Sequence, residues 1–146
     1  MPFALENVSS YVEDEDKEME EWDFYSYIVE KADIHMMLDV NNIYVSSHNL
    51  GFNIDNYLAN LPYERILQIH LAGHTEEDGW LIDSHDQPVR NEVWKIYERV
   101  WLEANQPATL LEWDDRFLSF QRTCEEALKA KQFQERIVHA SPCFAS

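Results

Sequence analysis

"RILQIHLAG", residues 65–73, is a short and mostly apolar run in which a polar side chain, His70, comes near the end. Three other runs have the same form and reach an acidic residue: "FALENV" (3–8) with Glu6, "HMMLDV" (35–40) with Asp39 and "ATLLEWD" (108–114) with Glu112. Short apolar runs with polar ends are typical of strands that are buried on both faces and carry function at their C-terminal ends. The sequence therefore predicts four buried strands.

Segments with the apolar spacing of helices follow these runs, at residues 18–32, 53–61, 91–104 and 119–140. Strands that alternate with helices predict an α/β fold in which parallel strands are joined by right-handed crossovers. About four βα units are enough for half of a (β/α) barrel, but not for a closed eight-stranded barrel of about 250 residues. We expect one domain over residues 1–138 and a tail over residues 139–146.

Composition and charge restrict the partners of this domain. The 146 residues are 45% apolar and 13% aromatic, which is typical of a globular chain with a real core. Acidic residues outnumber basic ones by 28 to 11, and the net charge of −17 argues against nucleic acid and anionic membranes as partners. Cys124 and Cys143 show no disulfide or thiolate-metal spacing. Without a leader or an apolar run of about 20 residues, we expect a cytoplasmic protein.

The polar residues at the predicted strand ends suggest a metal site. Ligands bind beyond the carboxyl ends of parallel strands. Four side chains would meet there: Glu6, Asp39, His70 and Glu112. Asp83 and His85, two apart in "IDSHD", would point the same way from an extended segment. Carboxylates and imidazoles favour iron, manganese or zinc, and there are more of them than one tetrahedral site uses, which indicates more than one metal.

Each of these residues also has a more ordinary interpretation when taken alone. Asp39 is in a position to form a turn or to cap the next helix. His70 fits a hydrogen-bonded core histidine, and Glu112, with Asp114 and Asp115 after it, fits a solvated acidic loop. Their shared position at strand ends is what favours a site.

Five segments resemble consecutive motifs of the multinuclear non-heme iron-dependent oxidative enzymes. They are "ENVSSY" (6–11), "LDVNNIYVSSHNLGF" (38–52), "QIHLAGH" (68–74), "LIDSHDQPV" (81–89) and "LLEWDD" (110–115). This family was long catalogued as a domain of unknown function and includes the iron-binding subunit of methanobactin biosynthesis. The resemblance runs from residue 3 to about residue 130, and five motifs in register are far more specific than any one of them.

The resemblance implies a TIM-like barrel whose mouth holds two or three iron ions. Such enzymes use dioxygen to modify cysteine residues of ribosomally made precursor peptides into oxazolone and thioamide groups or related products. A small partner protein commonly presents the peptide. The implied metal ligands are Glu6, Asp39, His70, Asp83, His85 and Glu112, and no other catalytic group is implied. Asn42, His48 and His74 lie in matching motifs as weaker candidates.

The sequence departs from the family in length. A full member is roughly twice as long, and its first four strands supply two further histidine ligands, so the resemblance covers only the C-terminal half of the barrel. A half-barrel alone exposes two unpaired strand edges. Three arrangements fit this pattern: a fragment of a split or decayed gene, a missing N-terminal half on another chain, or a two-fold homodimer of half-barrels.

Two other functions fit the same residues. Carboxylate and imidazole ligands also suit a divalent-metal isomerase or hydrolase of the barrel class, in which the metal acts as a Lewis acid without redox chemistry. A catalytically inactive fragment that serves as a metal-binding or partner domain is the third interpretation.

Overall fold

A computed structural model of the protein describes residues 2–13 and 16–140. Residues 141–146 of the predicted tail, including Cys143, lie outside the described residues. The elements in chain order are β1 (Ala4–Glu6), α1 (Glu21–Ala32), β2 (His35–Asp39), α2 (Val40–Leu50), α3 (Ile54–Ala59), a 3-10 turn (Tyr63–Arg65), β3 (Ile66–Leu71), β4 (Thr75–Glu77), β5 (Trp80–Ile82), α4 (Asn91–Glu103), β6 (Ala108–Leu111) and α5 (Phe120–Ala140).

The main sheet has four parallel strands in the order β1-β2-β3-β6. These are the four strands that the apolar runs predict, and the alternation of strands with helices is confirmed. In the sheet register Asp39 lies opposite His70, and His70 opposite Leu110. The architecture is α/β with a parallel sheet, and it is compatible with half of a TIM-like barrel.

One face of the sheet packs against the helices and forms the core. Met36, Leu38 and Ile69 on the central strands are fully buried, as is Val29 of α1. On α4 the buried residues recur at helical spacing and form one apolar stripe: Val93, Trp94, Ile96, Tyr97, Val100 and Trp101. Because the core lies on this face, packing against the helices holds the strands in place. The polar residues at the C-terminal ends of the strands are not part of this apolar core.

Helix α2 was not predicted from the sequence. The sequence predicts only one helix, at residues 53–61, between the second and third strands, whereas the structure has both α2 and α3 there. The segment is rich in asparagine, serine and β-branched residues, which have modest helix propensity. Asp39 caps the helix, because its Oδ1 accepts a hydrogen bond of 2.8 Å from the backbone N–H of Asn42. Val40, Ile43 and Val45 are buried, so tertiary packing supports a helix that local propensity does not indicate.

The segment that carries Asp83 and His85 also differs from its prediction. Strand β5 pairs antiparallel with β4 and ends at Ile82, before either residue. His85 has a left-handed backbone, with φ of 47°. The prediction of an extended segment is therefore wrong, because the backbone bends at His85.

The other face of the main sheet is open. Adjacent strand residues point to opposite faces, so Met37, Gln68, Ala108 and Leu110 lie opposite the helical layer and form what we call the open face. Leu110 keeps 43% of its surface exposed. Over residues 2–13 and 16–140, no strand pairs with the outer edge of β1 or of β6. None of the described helices is long and apolar enough to cross a membrane.

Candidate metal centre

Four of the predicted site residues meet at the carboxyl end of the main sheet. Glu6, Asp39, His70 and Glu112 each offer a ligand atom, and these atoms lie within 4.8 Å of one another. We call this group the first subsite. Glu6 and Asp39 end β1 and β2, His70 lies one residue before the end of β3, and Glu112 directly follows β6. The parallel register therefore brings together residues that are more than 100 positions apart in the chain.

Contacts in the first subsite point to a common centre. His70 Nδ1 lies 2.8 Å from Glu6 Oε1 and 3.1 Å from Glu112 Oε1, yet it makes no hydrogen bond of acceptable geometry. Asp39 Oδ2 is also buried without a partner. These donor atoms lie close together but are not aligned for hydrogen bonds with one another. Ligands around a metal ion have the same arrangement.

A second group forms around His85. Its Nε2 lies 2.7 Å from Asp83 Oδ1, again without hydrogen-bond geometry, and its Nδ1 lies 3.3 Å from Glu112 Oε2. The closely spaced ligand atoms of this group belong to His85, Glu112 and Asp114, whereas Asp83 contacts the other ring nitrogen of His85. We call these four residues the second subsite. Glu112 turns one oxygen to each histidine, so this carboxylate links the two subsites.

The donor set fits a metal. A buried polar atom without a partner costs free energy, so native proteins rarely leave several of them together. Here four such atoms are potential ligands: Asp39 Oδ2, Asn42 Oδ1, His70 Nδ1 and His85 Nε2. Divalent cations would satisfy them, and carboxylate oxygens with imidazole nitrogens are donors that iron, manganese and zinc accept.

The outer nitrogen of each histidine has a side-chain partner. His70 Nε2 lies 3.1 Å from Gln68 Oε1, and because an amide oxygen only accepts, the imidazole donates there and keeps a lone pair on Nδ1. His85 has carboxylates at both ring nitrogens, with Asp114 Oδ2 3.0 Å from Nδ1 and Asp83 Oδ1 2.7 Å from Nε2. Metal-binding histidines typically have such a partner, which orients the ring.

In the metal-free centre the pKa values of Asp39 and His85 are both raised, so both groups favour their protonated forms. Burial raises the pKa of the Asp39 carboxyl to about 8, although the Asn42 N–H opposes the shift. Burial lowers the pKa of the His85 imidazole, but the interaction with Asp83 and the charges of nearby carboxylates outweigh it and raise that pKa to about 9. Metal binding must therefore displace protons from the centre.

The metal-free protein should lose stability through Asp39 as the pH rises from about 4 to about 8. The pKa of Asp39 rises from 3.8 to about 8 on folding, so over this range the folded state keeps a proton that the unfolded chain has released. Asp39→Asn should flatten this part of the pH dependence. Urea unfolding of chelator-treated protein across this range measures it. Asp23→Asn, at an exposed helix position, is the control, and equal pH dependences for wild type and Asp39→Asn would contradict the argument.

Of the three weaker candidates, His48 and His74 are in neither group of closely spaced ligand atoms. Asn42 donates its Nδ2–H to the carbonyl of Asn7 at 3.0 Å and keeps a buried Oδ1 without a partner. His48 is exposed in the last turn of α2, where its Nε2 lies 3.2 Å from the carbonyl of Gly79. His74 is buried, and its Nδ1 contacts the side chain of Asn41 at 2.8 Å.

Several supporting residues were not singled out from the sequence. Asn7 donates to the Asp39 carbonyl at 2.9 Å and accepts from the Asp39 N–H at 2.8 Å, which ties the ends of β1 and β2 together. Tyr11 accepts the backbone N–H of Asp83 at 2.8 Å through its hydroxyl. Both residues lie in "ENVSSY", so the motif contains them, but no spacing rule indicates what they contact.

Comparison with known proteins gives a family match. Residues 1–135 match the model of a family described as RiPP precursor modification enzyme MbnB/TglH/ChrH, where RiPP denotes a ribosomally synthesised and modified peptide. This range includes every residue of both subsites.

Relatives extend over a longer chain. A UPF0276 protein of Anaeromyxobacter sp. (strain Fw109-5) is 43% identical over 130 residues, which cover 89% of this chain and 46% of the relative. A UPF0276 protein of Chromobacterium violaceum is 47% identical over 110 residues, covering 75% of this chain and 40% of the relative. One from Vibrio vulnificus (strain YJ016) is 35% identical, covering 96% and 52%. The chain thus spans about half the length of the curated relatives it matches.

Proposed function

We propose that this chain supplies iron ligands to an enzyme that oxidises cysteine residues of a precursor peptide with dioxygen. The premise is that the chain belongs to the RiPP precursor modification enzyme MbnB/TglH/ChrH family. The observation that carries this proposal is the pair of subsites joined by Glu112. Carboxylate and imidazole donors without thiolates support iron, and two adjoining subsites support a multinuclear centre.

The proposed chemistry needs a centre that is fixed on one side and accessible on the other. Asp39 and the His70 ring are almost fully buried, whereas the Glu6 and Glu112 side chains keep 34% and 26% of their surface exposed. Iron bound here would supply binding of dioxygen and its reduction by electrons from the peptide cysteine. The buried ligands would hold the centre in place, while the peptide approaches from the side of the two glutamates.

The substrate and partners are proposals that rest on the family. A precursor peptide is the substrate that the family description supports, and the resemblance of the five motifs implies that cysteine is the residue modified. A small protein that presents this peptide is the expected partner by resemblance of the five motifs. The net charge of −17 favours peptide segments that carry basic residues.

The open face and the free edges of the described sheet support a further unit that would complete a barrel. Relatives about twice as long as the matched region contain enough chain for a second four-stranded βα unit. Such a unit, on the same or another polypeptide, would cover the open face and pair with β1 and β6. A second copy of this chain fits less well, because it would bring the Glu6 of one copy towards the Glu112 of the other and double an already acidic mouth.

Dioxygen dependence is the test of this function. Protein loaded with ferrous iron without oxygen is mixed with a synthetic peptide that contains cysteine and basic residues, and dioxygen is then added. We expect a mass change in the peptide only when iron and dioxygen are both present, and none with His70→Ala. Turnover without dioxygen would contradict the proposal and favour Lewis-acid chemistry instead.

A further inference from the structure

We infer that His74 is a positioning residue of the proposed metal centre: through the side-chain amide of Asn41 it fixes the orientation of the Asp83 carboxylate, without binding metal itself. This role rests on the proposed function, because it matters only if Asp83 is a ligand. Neither the family match nor the grouping of potential ligands assigns this role to His74.

Two short hydrogen bonds connect the three side chains. His74 Nδ1 lies 2.8 Å from Asn41 Oδ1, and Asn41 Nδ2 donates to Asp83 Oδ1 at 2.7 Å. His74 is 3% exposed and Asn41 is fully buried. Water therefore has little access to these groups. If one side chain is removed, water cannot easily replace it as the hydrogen-bond partner of its neighbour.

Proton positions along this connection follow from the chemistry of the groups. The Asp83 carboxylate only accepts, so Asn41 must present its NH₂ group to Asp83 and its oxygen to His74. That oxygen also only accepts, so His74 must carry its proton on Nδ1. A protonated Nδ1 has no lone pair for a metal. Neither His74 nor Asp83 is in a group of closely spaced ligand atoms, but Asp83 contacts His85 Nε2 at 2.7 Å, whereas the contact of His74 is with Asn41.

The surroundings of His74 keep the ring neutral and in place. Burial, together with the positive charge of Arg90, lowers its pKa to about 4, so near neutral pH the ring holds one proton. The ring also lies against Tyr44, with centroids 5.3 Å apart. A neutral, packed imidazole is suited to hold a hydrogen bond in one direction.

Loss of His74 would leave the buried Oδ1 of Asn41 without its hydrogen-bond partner. Its Nδ2 would still face Asp83, but the amide would be held at one end only, which loosens its position against the carboxylate. Asp83 Oδ1 is also the atom that lies 2.7 Å from His85 Nε2. An altered amide would therefore disturb the second subsite, whereas the four ligand side chains of the first subsite make no hydrogen bond with this connection.

The tautomer is tested first, by nitrogen NMR of the metal-free protein. We expect His74 to show a protonated Nδ1 and a bare Nε2 near neutral pH. A proton on Nε2, or on both nitrogens, would overturn the inference, and this result does not depend on metal binding.

Rescue by a conservative variant is tested next, with Co(II) titrations followed by visible absorption. His74→Leu should weaken binding at the second subsite by about 10- to 100-fold and leave the first unchanged. His74→Asn should restore binding to within a few fold, because its Nδ2 takes the place of Nδ1. If His74→Leu does not fold, Asn41→Asp tests the same connection. A carboxylate at position 41 cannot donate to Asp83, so the same selective loss is expected.

Three outcomes would overturn the role. Equal loss in His74→Asn and His74→Leu would mean that His74 is a ligand, and loss at both subsites with a lowered melting temperature would mean that it is only structural. Wild type that binds no Co(II) at all would overturn the proposed function together with this role, and the tautomer result would separate that case from a wrong assignment of the hydrogen bonds.

Discussion

Glu112→Ala is expected to remove metal from both subsites at once. Its two carboxylate oxygens lie 3.1 Å from His70 Nδ1 and 3.3 Å from His85 Nδ1, so one side chain serves both groups. Loss of a residue that only orients a ligand typically costs about 10- to 100-fold in metal affinity, and loss of a shared ligand should cost more than about 100-fold. Equilibrium dialysis of the anaerobically purified variant against ferrous iron measures the effect.

The control for this variant is Glu135→Ala, the same change at an exposed position of α5. It should leave metal content and affinity at the wild-type values. If Glu112→Ala retained one full equivalent of iron with unchanged affinity, Glu112 would not link the subsites.

Gly73→Ala is expected to separate the two subsites. Gly73 is buried, and a Cβ there would overlap the backbone carbonyl of Gln87 and lie 2.7 Å from that of Pro88. The extra methyl must push away the loop that follows His85. We expect the free energy of unfolding to fall by about 1–3 kcal/mol, and the second subsite to lose metal while the first retains it.

Gly79→Ala is the matched control, because Gly79 has nothing within 4 Å of a Cβ although its φ is +85°. It should cost only the local strain of the turn, about 1 kcal/mol, and leave both subsites intact. Denaturant unfolding and iron analysis of the two variants distinguish the outcomes. Equal effects in both variants would mean that the close approach of Gly73 to the loop has no role in the site.

The strands and their functional ends could be predicted from the sequence because they depend on local pattern. A parallel strand covered by helices needs a nearly continuous apolar run, and "HMMLDV" and "RILQIHLAG" both show one. Parallel pairing then places their polar ends at one edge of the sheet. That is why the sequence alone is enough to place Asp39 and His70 together.

Other features depend on contacts between distant segments, which local pattern does not contain. Helix α2 forms from residues of modest helix propensity because Asp39 caps it and the core buries one side. A bend at His85 replaces the predicted extended segment, and no alternation of residues could indicate its left-handed backbone. The sequence predicts Glu112 as one ligand among several, and its position between two histidines is visible only in three dimensions.

Asp39 shows that the ordinary interpretation and the functional one need not exclude each other. Its Oδ1 caps α2, as the simpler interpretation has it, while its Oδ2 is a buried atom without a partner in the first subsite. One carboxylate thus starts a helix with one oxygen and offers the other to the proposed metal. A choice between the two interpretations from the sequence would have left out either the observed cap or the proposed ligand.

Iron content per chain, measured on an anaerobic size-exclusion peak of known mass, tests the central claim most directly. It is measured for this chain alone and together with the N-terminal region of the Anaeromyxobacter relative. We predict that iron binds with Glu6, Asp39, His70 and Glu112 as ligands, and that the added region raises both the mass and the iron content. A chain that binds no iron in either state would contradict the account.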